Sequence, residues 1–363
     1  MENKEENVLT PSQLTFIIIA SIIGVSVLNL PRSAIKSAKQ DGWIAVLIGS
    51  IYPIYMIVIA NYMRKKHPKE DILDLNKNIY GKFFGNIFNL VFILFFFIIG
   101  TDVAAGISNA IRIYIVNFLG VWNILTLLFL VSAYAVYSGT KALGRLNEIL
   151  FYITFLVYLV PFFSIQKSHI SNMQPIFGAG VQNILKGIKE TTTAYSGIEI
   201  LFIVYPFVDE NVSIKKIAFK SVAFISIIYT LFTLITILYL GVDAALKFLW
   251  PLVTVTESIE IPIINSFRYI FLSLWTMTMI KCITVHYYLV TYGFSKIFTK
   301  VSRKNWVLLF YPVMVIVSSL YGNPAKRRTF LDMIFPPYAA YNIIFVSITA
   351  ILIALGKGDK REK

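Results

Sequence analysis

The chain has 363 residues, of which 57% are apolar or aromatic and only 14% charged, about half the usual globular share of charge. That surplus suffices for about ten membrane crossings of ~20 residues each, and with a mean hydropathy of +0.72 it excludes a soluble domain or a disordered chain. The net charge of +14 sits in short Lys/Arg clusters between apolar runs, a pattern that orients a membrane protein rather than one that grips nucleic acid.

The leader MENKEENVLTPSQ is acidic, and the apolar run from Leu14 to Leu30 ends in Pro31-Arg32 without a small-residue cleavage site. It reads as a retained first span, not a removed signal peptide. Apolar runs then predict ten helices over 14–36, 43–63, 82–116, 121–138, 146–164, 186–208, 217–241, 264–292, 305–321 and 335–355. The run 64–77 reads as a solvated loop, with anionic lipid or a partner subunit as the lesser alternative. The segment 165–185 joins spans 5 and 6. The segment 242–262 joins spans 7 and 8 and reads either as a re-entrant lid or as an amphipathic connector. Unusual helices recur five places apart: the longest are the third and eighth, and the interrupted ones are the first and sixth. This predicts a single all-α membrane domain of two five-helix repeats, about 12–164 and 186–355. Counting Lys and Arg between spans gives 20 on the face of the termini and 11 on the other, which puts the tails 1–11 and 356–363 in the cytoplasm. An odd number of spans per repeat then makes the two halves inverted copies.

Enzyme chemistry has no foothold here. The lone Cys282 permits no intrachain disulfide, and His67, His169 and His286 lack metal-ligand spacing. Walker A, GxGxxG and GxSxG motifs are absent. No catalytic residue, metal or cofactor is expected.

The informative residues are those that interrupt the apolar pattern. In span 1, Gly24, Val25 and Ser26 lie at mid-depth, and the ring of Pro31 opposes the carbonyl of Val27. Gly24 permits non-helical torsions. An opened turn in lipid must line a cavity or bind a ligand, because unpaired peptide groups cost several kcal/mol each; a simple kink or close helix packing is the plainer alternative. Span 6 carries Thr191 to Thr193, Tyr195 and then Ser196-Gly197 at mid-depth. Paired interruptions in two halves point to a binding cavity between spans 1 and 6. Exposed N–H groups there attract a ligand carboxylate, and freed carbonyls attract an ammonium or a cation. Asp102, Glu199 and Lys281 are ionisable residues near mid-span. Each costs at least ~2.5–3.5 kcal/mol in hydrocarbon and should find an interior partner. They read as a proton- or cation-coupling element, or as a structural ion pair, with Lys281 supplying a fixed charge where a related transporter would bind a metal cation. Tyr195, Tyr287 and Tyr288 are candidates for the cavity wall or plain core.

The strings LTPSQLTFIIIASIIGVSVLNLPR, DGWI at 41–44, FLWP at 248–251 and SLW at 273–275 resemble the spore germination permease family. These are the B-type membrane subunits of GerA-type germinant receptors, in the amino acid–polyamine–cation superfamily. The resemblance implies a LeuT-like bundle with discontinuous helices 1 and 6. It also implies that the protein senses small nutrients such as amino acids in the inner membrane of endospores, beside an A-type membrane subunit and a C-type lipoprotein. It further implies a pocket from spans 1, 3, 6 and 8. By motif, Gly24 of IIGVS falls at the unwound turn and Ser196 and Gly197 of YSGIE at the span-6 break. Ile99 of FFFIIGTD falls at the span-3 wall, and the span-8 aromatics fall near His286 to Tyr288. Lys281 departs from the family's pattern. The expected function is therefore germinant sensing; the rivals are an autonomous proton-coupled amino acid permease and a structural scaffold.

Overall fold

The computed structural model describes residues 8–259 and 267–358. The first residues of the N-tail, the predicted start of span 8, the end of the 242–262 segment and the last of the C-tail lie outside the described residues. Among those described, the chain is a ten-span helical bundle, and its helices run as follows.

Span 1 is α1 (Pro11–Ile22), a 3-10 turn at Val25–Leu28, and α2 (Leu30–Ala38). A capping box starts it: the Thr10 hydroxyl accepts from the Gln13 N–H while the Gln13 side chain accepts from the Thr10 N–H, satisfying two donors that the helix leaves open. Span 2 is α3 (Gly42–Gly49) with α4 (Ile51–Lys66), and span 3 is α5 (Ile72–Tyr114). α5 begins ten residues before its predicted start because Gly81, at φ +77°, joins a short leading helix to the span. Asp71 caps that leading helix by accepting from the N–H groups of Leu73 and Asp74. Span 4 is α6 (Val121–Tyr137). Span 5 is α7 (Thr140–Thr154), continued by 3-10 turns to Lys167. Span 6 is α8 (Val181–Thr192), an interrupted stretch, and α9 (Leu201–Val204), ending in a turn at Tyr205–Phe207.

Spans 7 to 10 are α10 (Ile214–Lys247), α12 (Arg268–Ile297), α13 (Arg303–Leu320) and α14 (Pro324–Ala354), with the short α11 (Pro251–Glu257) between the seventh and eighth. α11 is no surface connector, since Pro251, Leu252, Val253, Val255 and Thr256 are buried. α14 starts eleven residues before its predicted start. The cluster Lys326-Arg327-Arg328 reads as loop, but Pro324 stands in its first turn and Asn323 caps it by accepting from the Lys326 N–H.

α5 and α12 form the central pair, and they approach closely where side chains are small. A Cβ on Gly100 would come within 3.1 Å of the His286 Cβ. Many outward residues, such as Leu127, Leu156 and Leu320, are exposed and apolar, as a lipid-facing surface requires. With its apolar spans and this surface, the chain is a multi-pass membrane protein.

Both ends of the described chain lie on one face. The Leu9 N–H donates to the Phe207 carbonyl at 2.7 Å, and Gly358 sits near Ile79 and His67. This face is closed by polar contacts. Arg64 donates to the carbonyls of Val212 and Asp209 at 2.6 Å each and of Val208 at 3.4 Å. Lys296 and Tyr292 hold the Asp71 carboxylate from α12.

Candidate functional site

The span-1 break is backbone in extended conformation: Ile23 has ψ 91° and Gly24 has φ −106°, ψ −169°. In span 6, Ser196 is extended (ψ 145°) and Gly197 takes a left-handed φ of +110°, which favours glycine. The two breaks touch. A Cβ on Gly197 would lie 2.2 Å from the carbonyl oxygen of Ser21. The freed groups are taken up locally, as buried backbone demands. Tyr229 donates to the carbonyl of Ile22 at 3.0 Å, and the Gly197 N–H donates to Glu199 Oε2 at 2.7 Å.

Beside these breaks lies a cavity of about 680 Å³, roomy enough for a small ligand. Gly24, Val25 and Ser26 of span 1, Ile99 and Asp102 of span 3, and Ser196 of span 6 are in its wall. Cys282 of span 8, Arg327 of span 10 and Trp250 before α11 are also there. The Ser196 hydroxyl is buried and has no hydrogen-bond partner among the described residues, although a buried hydroxyl ordinarily finds one. It is a ready donor and acceptor for a bound molecule.

The other sequence-selected residues stand back from the wall. Gly197 is behind Ser196 as the hinge of the break. Tyr195 donates to the carbonyl of Val46 at 2.9 Å, with its ring 5.3 Å from that of Tyr229; it braces the breaks from behind. Tyr287 donates to the carbonyl of Val307. Tyr288 pairs with the Thr140 hydroxyl and stacks on Tyr292.

The three mid-span ionisable residues do not meet; each has its own setting. Asp102 forms a bidentate pair with Arg327, at 2.5 Å to Nε and 3.0 Å to Nη2. Glu199 accepts from the Tyr52 hydroxyl, from the Gly197 N–H and from Asn342 Nδ2 at 3.1 Å, which ties the span-6 break to spans 2 and 10. Lys281 donates to the Thr154 hydroxyl at 2.9 Å and lies 5.3 Å over the ring of Phe151. Among the described residues no carboxylate pairs with it.

Arg327 and Trp250 were missed as site residues. The signal for Arg327 was indirect: a buried Asp102 requires a cation or donors, and Arg327 sits in a charged cluster that composition assigns to a loop. Trp250 belongs to the FLWP string, whose place over the cavity depends on tertiary packing.

A ten-span bundle with adjoining breaks in spans 1 and 6 beside a cavity defines the LeuT-like class of membrane proteins. Solved structures agree on the fold. A substrate-bound, outward-open Na+-coupled sialic acid symporter matches with a TM-score of 0.66 at 14% identity, covering 99% of this chain and 81% of that one. MhsT in complex with L-phenylalanine matches at 0.65 and 15% identity, covering 96% and 89%. The family profile described as spore germination protein matches residues 8–327, and the chain belongs to that family. A curated relative is the spore germination protein YndE of Bacillus subtilis (strain 168), 26% identical over 357 residues and 97% of each chain.

Proposed function

We propose that this protein is the nutrient-sensing membrane subunit of a germinant receptor, binding a small amino-acid-like ligand in the cavity beside the two breaks. The observation that carries this reading is the buried hydroxyl of Ser196 in the cavity wall, without a partner among the described residues. The ligand selects one arrangement of the bundle and passes that bias to an A-type membrane subunit and a C-type lipoprotein, triggering germination. It can do so only by binding one state better, and moving a population from 1:99 to 99:1 needs ~5.5 kcal/mol of differential affinity. The proposed setting is the inner membrane of the endospore, with both termini cytoplasmic; the excess of Lys and Arg on the face of the termini supports that orientation.

The test exchanges wall residues. Ile99→Val and Ser196→Ala, at unchanged protein level, are expected to shift the half-maximal nutrient concentration for germination about tenfold or more, and differently for different nutrients. Loss of protein without altered preference would count against the site.

The setting of Lys281, buried with no carboxylate partner among the described residues, favours one second reading, an autonomous proton-coupled amino acid permease. Purified protein in proteoliposomes under a pH gradient separates the two. The receptor reading expects no uptake of labelled amino acid. Uptake that Lys281→Met abolishes would establish the permease.

A further inference from the structure

We infer that the cavity takes a small anion, a molecule whose carboxylate or phosphate groups leave it net negative; this deepens the proposed reading of the site and rests on it. The sequence count assigns only 11 Lys and Arg to the face opposite the termini, and six of them, on the helix ends of spans 1, 6 and 10, line this one cavity. Membrane orientation does not explain that concentration, because orienting charge gathers on the other face.

Charge within the cavity is unbalanced. Arg327 is neutralised by Asp102, which leaves Arg32, Lys36, Lys186, Lys189 and Arg328. They come from spans 1, 6 and 10. Against them, among the described residues, stand two carboxylates, Glu190 and Asp332. Arg328 donates to the Asn29 side chain at 3.0 Å, and Glu190 accepts from the Ser37 hydroxyl at 2.9 Å. The side chains of Arg32, Lys36, Lys186 and Lys189 make no hydrogen bond or ion pair among the described residues.

A cleft with low-dielectric walls focuses such a field and concentrates ligands of opposite sign. Deeper in, Leu249, Trp250, Ile99 and Phe335 supply apolar wall, and the Ser196 hydroxyl offers its donor to an anionic oxygen. The basic entrance collects an anion, and the breaks hold it.

The test uses the purified full-length protein in detergent, with thermal stabilisation as the readout and three pairs of probes. These are L-glutamate with L-glutamine, succinate with succinamide, and glycerol 3-phosphate with glycerol. The expected result is stabilisation by the anion of at least one pair, tenfold or more tighter than by its neutral counterpart and weaker as salt is raised. The carboxylate and phosphate arms tell the two sources apart. Lys186 and Lys189 are exposed, so the double substitution Lys186→Gln, Lys189→Gln should fold normally and bind that anion tenfold more weakly. Equal or tighter binding of the neutral partners overturns the inference while leaving the cavity reading intact, as does unchanged affinity in the double variant. Stabilisation by none of the six also overturns it, and the cavity reading then depends on the Ile99 and Ser196 exchanges alone.

Discussion

Arg327→Leu is expected to destabilise the protein by about 3–5 kcal/mol, the cost of stranding a buried charge when its partner is removed. The stranded group is Asp102, which is 4% exposed against 8% for Arg327. Two parallel N–H to oxygen bonds join them, the strongest geometry available to a carboxylate and a guanidinium. Gly106 presses on the same arrangement, since a Cβ there would come within 2.8 Å of the Arg327 Cζ and 2.6 Å of the Val25 Cγ1. The pair therefore fixes span 10 against span 3 beside the span-1 turn. Thermal unfolding in detergent should show the single substitutions Arg327→Leu and Asp102→Leu strongly destabilised. The double variant should recover most of the loss, because replacing both charges with apolar groups removes the uncompensated ion. A single variant as stable as the parent would mean that cavity water already screens the pair.

The second large effect is expected at Gly197 and contrasts with Gly24. Alanine at Gly197 would hold an L-residue in the left-handed region, at a cost of ~1–2 kcal/mol. Its Cβ would also sit 2.2 Å from the Ser21 carbonyl oxygen. That neighbour is backbone, so span 1 itself would have to move. Gly197→Ala should consequently lose several kcal/mol or fail to accumulate as folded protein. Gly24 has an ordinary φ of −106°, and among the described residues a Cβ there would meet only the Val103 Cγ2 at 3.1 Å and the Cys282 Sγ at 3.8 Å. Gly24→Ala should fold, with a smaller cavity and a nutrient response weakened about tenfold. Protein yield, melting temperature and germination response, measured together, separate the two cases. A normal response to every nutrient in Gly24→Ala would favour a purely structural scaffold.

The spans and their two interruptions were legible because each depends on local chemistry. Apolar runs count crossings, and Gly24 and the Ser196-Gly197 pair announce where a helix can open. Helix starts were less legible at α5 and α14, where charged residues flank an amphipathic or capped first turn that composition alone assigns to a loop. Pairings were the hardest to read. That Asp102 needs a partner follows from its depth, but that Arg327, 225 residues later, supplies it depends on how span 10 packs against span 3. The same holds for Glu199, whose partners Tyr52 and Asn342 lie in spans 2 and 10. Tyr195, Tyr287 and Tyr288 are ambiguous in sequence because aromatic residues serve walls and braces alike; only their hydroxyl partners tell the roles apart.

The closure on the face of the termini has an asymmetric dependence on sequence. Arg64 grips the segment after span 6 through the carbonyls of Val208, Asp209 and Val212, groups that every amino acid provides. The clasp thus recognises the course of the backbone and is indifferent to which side chains decorate it. Between Val208, which is buried, and Ser213, which caps α10 by accepting from the Lys216 N–H, the exposed residues 209–211 are free to change their surface chemistry, and with it the molecules they meet, without loosening the clasp. The arginine has no such freedom: a lysine offers one compact ammonium in place of a planar fork.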